Sequence, residues 1–220
     1  MSEIETGWAE RAEARILDEA LRIAPREGWT WRTAKLAGKA MGLSEGETEL
    51  LIPHGPADLA ALLARRHDQR ALALLADVDP AALKIRERIR RAVEARLDAA
   101  IQDEAGVRRW MGFMTLPTHT PLAARLAWES ADVLWRWAGD TATDENHYSK
   151  RMILGGILTG AMGLRISGSR ADAMAFVDRQ IQHVMDFEKW KATTKLKPET
   201  FLADIAAALG RLRYGKAEAP

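Results

Sequence analysis

The stretch WAERAEARILDEALRI, residues 8–23, sets the fold class. Trp8, Ala12, Ile16, Ala20 and Ile23 recur every three to four positions, with Leu17 and Leu21 alongside and charged residues filling the gaps. That spacing puts the apolar residues on one face of a helix with 3.6 residues per turn, and Pro25 and Gly28 supply the stop. Working outward, Thr30 can cap a short helix over 31–41 closed by Gly42, and Ser44 can cap another over 45–52 closed by Pro53 and Gly55. The same periodicity predicts helices over 57–76, 81–101, 104–114, 121–138, 146–166, 170–191 and 198–213. Turn chemistry separates them at Asp79-Pro80, Pro117 to Pro121, Gly139-Asp140 and Ser167-Gly168-Ser169. No alternating pattern of the strand type interrupts the series, so the class is all-α.

Composition narrows the function classes. The chain has 220 residues, 47% of them hydrophobic, with 8 Pro, 16 Gly and no Cys, a balance that suits one ordered body rather than a disordered chain. Thirty-two Lys and Arg against 31 Asp and Glu leave a net charge of +1, so no global cationic field points to nucleic acid. Without Cys there is no disulfide framework, thiol nucleophile or thiolate metal site. The longest uncharged stretch, residues 152–164, is too short to span a bilayer. Residues 1–10 carry Glu3, Glu5 and Glu10 without an apolar run, unlike a leader peptide. The expectation is a bacterial protein, cytoplasmic and peripheral on the inner membrane face.

Catalytic signatures are missing. None of the five His residues has Glu three positions before it, there is no His-Glu-x-x-His, no phosphate-cradling Gly loop and no Gly-x-Ser-x-Gly elbow. Asp144 and His147 share the three-residue spacing and form at most a lone metal pair. The reading is a non-enzyme without a cofactor or a resident metal.

The first 55 residues resemble the helix-turn-helix end of TetR-type regulators, in the order Arg15-Ile16-Leu17, Ala20-Leu21, Gly28-Trp29-Thr30, Ala37 and Gly42-Leu43-Ser44. The resemblance implies a scaffold packed on Trp29, Leu36 and Leu43. Its recognition helix has the wrong sign for DNA: Glu45, Glu47 and Glu49 stand there with no Lys or Arg between Ser44 and Ile52. Phosphate neutralisation carries most non-specific DNA affinity, and base reading draws on Arg, Lys, Asn or Gln. Arg32, Lys35 and Lys39 precede it, but no nucleic-acid partner is expected.

A second resemblance covers roughly residues 16–213. Trp135-Arg136-Trp137-Ala138-Gly139-Asp140 and Thr143-Asp144-Glu145-Asn146-His147-Tyr148-Ser149-Lys150-Arg151 are similar to the coenzyme Q biosynthesis accessory proteins, as are His54-Gly55-Pro56, Lys84-Ile85-Arg86, and Asp178 through Lys189. That family departs from this chain at His147, where it usually has Trp. The resemblance implies a TetR-like helical bundle with a vestigial N-terminal helix-turn-helix. It also implies lipid binding without catalysis: a polyprenylated quinone precursor held and presented to a membrane-associated di-iron hydroxylase. Domain organisation would be a single domain over 1–220, with a helix-turn-helix-like part at 1–55, a ligand-binding body at 56–197 and an amphipathic helix at 198–213.

Three groups of residues follow. Met111, Met114, Trp128, Met152, Ile157, Leu158 and Met162 are the candidate lipid contacts. Met and Gly155, Gly156, Gly160 and Gly163 suit an irregular ligand or a close helix neighbour, so the residues alone allow a tunnel or a filled core. Leu134, Asp144, His147, Tyr148 and Arg151 are the partner surface that the resemblance implies. Phe201, Leu202, Ile205, Leu209 and Leu212 form one face of the last helix, which ends in Arg211, Arg213 and Lys216; it suits a membrane surface, and equally a core cap or pairing in a homodimer. The basic run Lys84, Arg86, Arg88, Arg90, Arg91 and Arg96 reads as a solvated helix face. Two other readings stand beside lipid presentation: a TetR-type ligand-responsive transcriptional regulator, and a structural interaction protein without a ligand.

Overall fold

The computed structural model describes residues 3–141 and 145–193. All regular structure among them is helical: α1 (Glu3–Glu27), α2 (Trp31–Ala40), α3 (Glu45–Leu51), α4 (Pro56–Leu74), α5 (Ile85–Ile101), α6 (Glu104–Met114), α7 (Thr120–Trp137), α8 (Glu145–Ser167) and α9 (Arg170–Thr193). Short 3₁₀ turns occupy Pro80–Ala82 and Pro117–His119. The expected helix over 198–213 lies outside the described residues.

Two boundaries differ from the sequence reading. Pro25 sits inside α1, which continues to Glu27. So near a C-terminus a proline removes little, and the following Gly28 N–H still bonds Ala24 O at 2.8 Å before the chain turns at φ 73°. The helix expected from 81 starts instead at Ile85. Asp79 Oδ1 accepts from Ala81 N at 2.8 Å and closes a 3₁₀ turn, after which Leu83 and Lys84 are extended.

Two compact units are distinguished, Met1–Asp178 and Arg179–Pro220, divided inside α9. In the first, α1 packs on α2 and α6, α4 on α5 and α7, and α7 on α8. Ile16, Leu17, Ala20 and Ala24 carry the buried face of α1, while Trp8 at its start is exposed. Trp29 is buried and donates from Nε1 to Gly106 O at 3.0 Å, tying the α1–α2 junction to α6. In the second unit, Gln182 Nε2 donates to Asp186 Oδ1 at 2.7 Å and the rings of Phe187 and Trp190 lie 5.9 Å apart.

The α2–α3 pair is held by close approach. A Cβ on Gly38 would fall 2.0 Å from Thr48 Oγ1, so glycine lets α3 seat against α2. Thr30 caps α2 through Thr33 N, and Ser44 and Glu47 form a reciprocal capping box on α3. The scaffold expected on Trp29, Leu36 and Leu43 is only partly packed: Leu36 is exposed and Leu43 half-buried, because α2 spends its buried face on Thr33, Ala34, Ala37 and Gly38. The basic run on α5 also needs correction. Arg96 is buried, since it shares the inward register of Ala92, Val93 and Ala100.

Candidate functional site

A cavity of about 160 Å³ lies among α4, α5, α6, α7 and α8. Its walls are mostly apolar, with Ala64, Ala100, Val107, Trp110, Leu126 and Met162 among them. Trp110 is fixed in place by a bond from Nε1 to Ala60 O at 3.1 Å. Thr115 and Thr159, both exposed, line the cavity where it meets solvent.

Three polar side chains line it from inside the protein: His67, Arg96 and Ser130, all buried. Arg96 Nε donates to Asp68 Oδ1 at 2.6 Å and Nη2 reaches Ala64 O at 3.4 Å. Ser130 Oγ donates to the other oxygen of Asp68 at 3.0 Å. The Arg96 Nη1 atom is buried without a protein hydrogen-bond partner. Beside this pair, Asp103 Oδ2 accepts from His67 Nε2 at 2.9 Å and from Arg70 Nη1 at 2.6 Å. Burial pushes His67 down from 6.5 to about 4, partly opposed by its bond to Asp103. Burial would raise the Asp103 carboxyl, but the His67 bond and the Arg70 charge outweigh it and hold it below the usual range. An ionised Asp103 can only accept, so His67 carries its proton on Nε2 and leaves Nδ1 as an acceptor.

The sequence reading missed this polar end. His67 and Asp68 continue the inward register of Ala60, Leu63 and Ala64 on α4, and that register was the available signal.

Of the candidate lipid contacts, Met111, Met114, Leu158 and Met162 line the cavity together. The other three do not. Ile157 is buried elsewhere, Met152 is 69% exposed, and Trp128 is half-buried against Tyr148, its ring 5.7 Å away. Two of the α8 glycines serve helix packing: Cβ atoms at Gly155 and Gly160 would meet the Ala127 carbonyl at 3.3 Å and the Phe176 ring at 2.8 Å. Among the described residues these positions pack as filled core around a cavity the size of a ring.

A second feature stands on the outside. The rings of Trp128, His147 and Tyr148 cluster within 6.3 Å of one another at the start of α8, and Tyr148 and Met152, one turn apart, are both exposed. Of the partner residues expected with them, Leu134 and Arg151 are buried beneath, and Asp144 lies outside the described residues. Arg151 bonds Asp132, Asp140 and the His147 carbonyl, so it anchors the surface from below rather than displaying a charge on it. Phe201, Leu202, Ile205, Leu209 and Leu212 are also outside the described residues.

On α3 the exposed positions are Glu45, Gly46, Glu47, Glu49 and Leu50. Glu47 is held below the usual carboxylate range by its bonds from the Ser44 side chain and backbone. Such a face repels phosphate. No described helix is long and apolar enough to cross a membrane, and no cluster of three or more His, Asp or Glu among the described residues is placed to hold a metal ion.

A family model described as COQ9 matches residues 120–188. The rat protein (Rattus norvegicus) named "Ubiquinone biosynthesis protein COQ9, mitochondrial" is 26% identical over 215 residues, covering 93% of this chain and 68% of its own length. The bovine protein (Bos taurus) of the same name is 26% identical, covering 93% and 67%, and the human one (Homo sapiens) 25%, covering 93% and 67%. The chain is similar to COQ9 proteins of ubiquinone biosynthesis over nearly its whole length. The segment matched by the COQ9 model runs from α7 into α9, so it carries the aromatic cluster and the α7–α8 wall of the cavity. These COQ9 relatives are mitochondrial by name and come from animals, which overturns the expectation of a bacterial, cytoplasmic protein at the inner face of a bacterial membrane. That expectation rested on the acidic residues 3–10, which lie within α1 and report helix composition rather than compartment.

Proposed function

We propose that this protein acts in ubiquinone biosynthesis as a non-catalytic accessory protein that binds an isoprenoid quinone precursor and presents it to a di-iron hydroxylase at a membrane surface. The observation that carries this reading is the ring-sized apolar cavity with one buried polar end, in a chain whose relatives are named for ubiquinone biosynthesis. Burying the apolar surface of the ring favours binding by roughly 25 cal/mol per Å², so affinity needs no charged site. The cluster of exposed Tyr148 and Met152 over half-buried Trp128 and His147 is suited to docking the hydroxylase, because aromatic anchors with a polar rim dominate protein interfaces. The spacing of Phe201, Leu202, Ile205, Leu209 and Leu212 in the sequence, followed by the cations Arg211 and Arg213, suits a segment that would bring the complex to an anionic lipid surface. Within the proposal, residues 1–55 are a retained scaffold, and the acidic α3 argues against the alternative of a transcriptional regulator.

The test is organic extraction and mass analysis of the purified full chain. A prenylated aromatic compound should copurify at near-stoichiometric amount; extracts no richer in isoprenoids than those of an unrelated helical protein would overturn the reading.

A further inference from the structure

The cavity raises a question of fit. A polyprenyl tail cannot be contained in about 160 Å³, because a dry cavity of about 150 Å³ takes one benzene-sized molecule. What the space admits is a single ring. The buried polar side chains are then informative: apart from Thr115 and Thr159 at the solvent edge, the polar lining is Arg96, His67 and Ser130.

Their hydrogen-bond accounting is nearly closed. Asp68 takes Arg96 Nε and Ser130 Oγ, and Asp103 takes His67 Nε2 and Arg70. One donor is left over, Arg96 Nη1, on a side chain that is 7% exposed. A buried donor without a partner carries a desolvation cost, and the wall it belongs to is that of the cavity. The charge on Arg96 is already met by the Asp68 carboxylate at 2.6 Å, and the Asp103 carboxylate lies on the far side of His67. A second anion would therefore meet the buried Asp68 carboxylate and the half-buried Asp103 carboxylate, whereas a neutral oxygen would meet a free N–H with no added charge. The neighbouring His67 Nδ1 can accept from a hydroxyl on the same ring.

We propose that this cavity is a head-group site for a neutral, oxygen-substituted aromatic ring, with Arg96 Nη1 donating to a ring oxygen and any apolar tail leaving past Thr115 and Thr159. The inference deepens the reading above and rests on it for the source of the ring. It assigns recognition of the ring to α4, α5 and α7, away from the aromatic cluster at the start of α8.

The experiment uses the full chain and three small probes: 4-methoxyphenol, toluene and benzoate, titrated by calorimetry and ligand-observed NMR. The wild type should bind 4-methoxyphenol about tenfold more tightly than toluene, the worth of one hydrogen bond to a charged donor, and benzoate more weakly than either. Arg96→Lys retains the charge opposite Asp68 but replaces the planar guanidinium, and with it the N–H at the Nη1 position, by a shorter ammonium drawn to Asp68; it should bind toluene as before and lose the preference for 4-methoxyphenol. Equal affinities for 4-methoxyphenol and toluene in the wild type, tightest binding of benzoate, or a preference that survives Arg96→Lys would each overturn the assignment. If Arg96→Lys does not fold, the wild-type ranking alone decides. The two readings fail separately. Copurified isoprenoid without the Arg96-dependent preference sinks the head-group site and spares lipid binding, while the preference without copurified isoprenoid does the reverse.

Discussion

Arg151 Nε donates to Asp132 Oδ1 at 2.6 Å, from a side chain that is 1% exposed. Its Nη1 bonds Asp140 Oδ2 at 3.0 Å and the His147 carbonyl at 3.1 Å, so one guanidinium fastens α8 to α7 and to the turn after it. Asp132 and Asp140 would be raised by burial, but their bonds from Arg151, with Arg136 on one and Lys150 on the other, hold both below the usual carboxylate range. A planar fork with several donors suits this arrangement better than any other side chain.

Arg151→Met should therefore destabilise the protein. Removing one partner of a buried ion pair costs about 3–5 kcal/mol, and because each carboxylate keeps a second cation the expected loss is about 2 kcal/mol. For a chain of this length that is a fall of roughly 5 °C in the unfolding midpoint followed by circular dichroism. An unchanged midpoint would show that the cluster contributes nothing net.

Acid should weaken the fold before any carboxylate titrates. Burial, opposed by the Asp103 bond, lowers His67 from 6.5 to about 4. Above pH 6.5 neither folded nor unfolded His67 binds the proton; between 6.5 and 4 only the unfolded chain does, so stability falls with pH across that window. Between pH 7 and pH 5 the loss from this group is about 2 kcal/mol. Asp103, lowered by His67 and Arg70 against its burial, adds a further loss below its ordinary 3.8. Urea midpoints at the two pH values check this, and His67→Gln, which can still bond Asp103, should flatten the difference.

What the sequence made legible were the features written in spacing. Ile16, Leu17 and Ala20 fixed α1, and Thr30 and Ser44 marked the starts of α2 and α3 because caps act on their own few residues. Met111, Met114, Leu158 and Met162 line the cavity, as apolar residues in helical register must face inward; their role as lipid contacts is part of the proposal. The polar end of the cavity was not found. His67 and Arg96 are 29 positions apart by number and converge only when α4 packs on α5, and a charged residue in an apolar register looks like a solvated one until its partner Asp68 is located. Leu134 and Arg151 enter the expected partner surface through the family resemblance, which places them on α7 and α8 but does not say which side is covered.

Gly38→Ala should disturb the α2–α3 pair. Alanine favours a helix interior by about 1 kcal/mol, but its Cβ would meet Thr48 Oγ1 at 2.0 Å and Thr48 Cβ at 2.9 Å. The second atom is the root of the side chain, so no rotation clears it, and the overpacking penalty of about 1–3 kcal/mol sets the sign. Chemical denaturation should give a net loss near 1 kcal/mol; Gly46→Ala, where nothing lies within 4 Å, is the matched control and should not lose stability.

Tyr148 offers the cleanest separation of surface from core. Its side chain is 61% exposed, yet its ring lies 5.7 Å from Trp128 and 5.3 Å from His147, so it is ordered by contact rather than by burial. Truncation removes little folding energy, because the area withdrawn from water is small: Tyr148→Ala should leave helix content unchanged and stability within about 1 kcal/mol. It also lies on α8 away from the cavity wall, so the load of copurified lipid should not change. If the cluster docks a hydroxylase, loss of a central aromatic anchor should weaken capture by 2 kcal/mol or more, about thirtyfold in Kd. Binding to the purified hydroxylase by surface plasmon resonance reads this directly. Unaltered affinity in a folded, lipid-loaded Tyr148→Ala protein would remove the aromatic cluster from the partner surface.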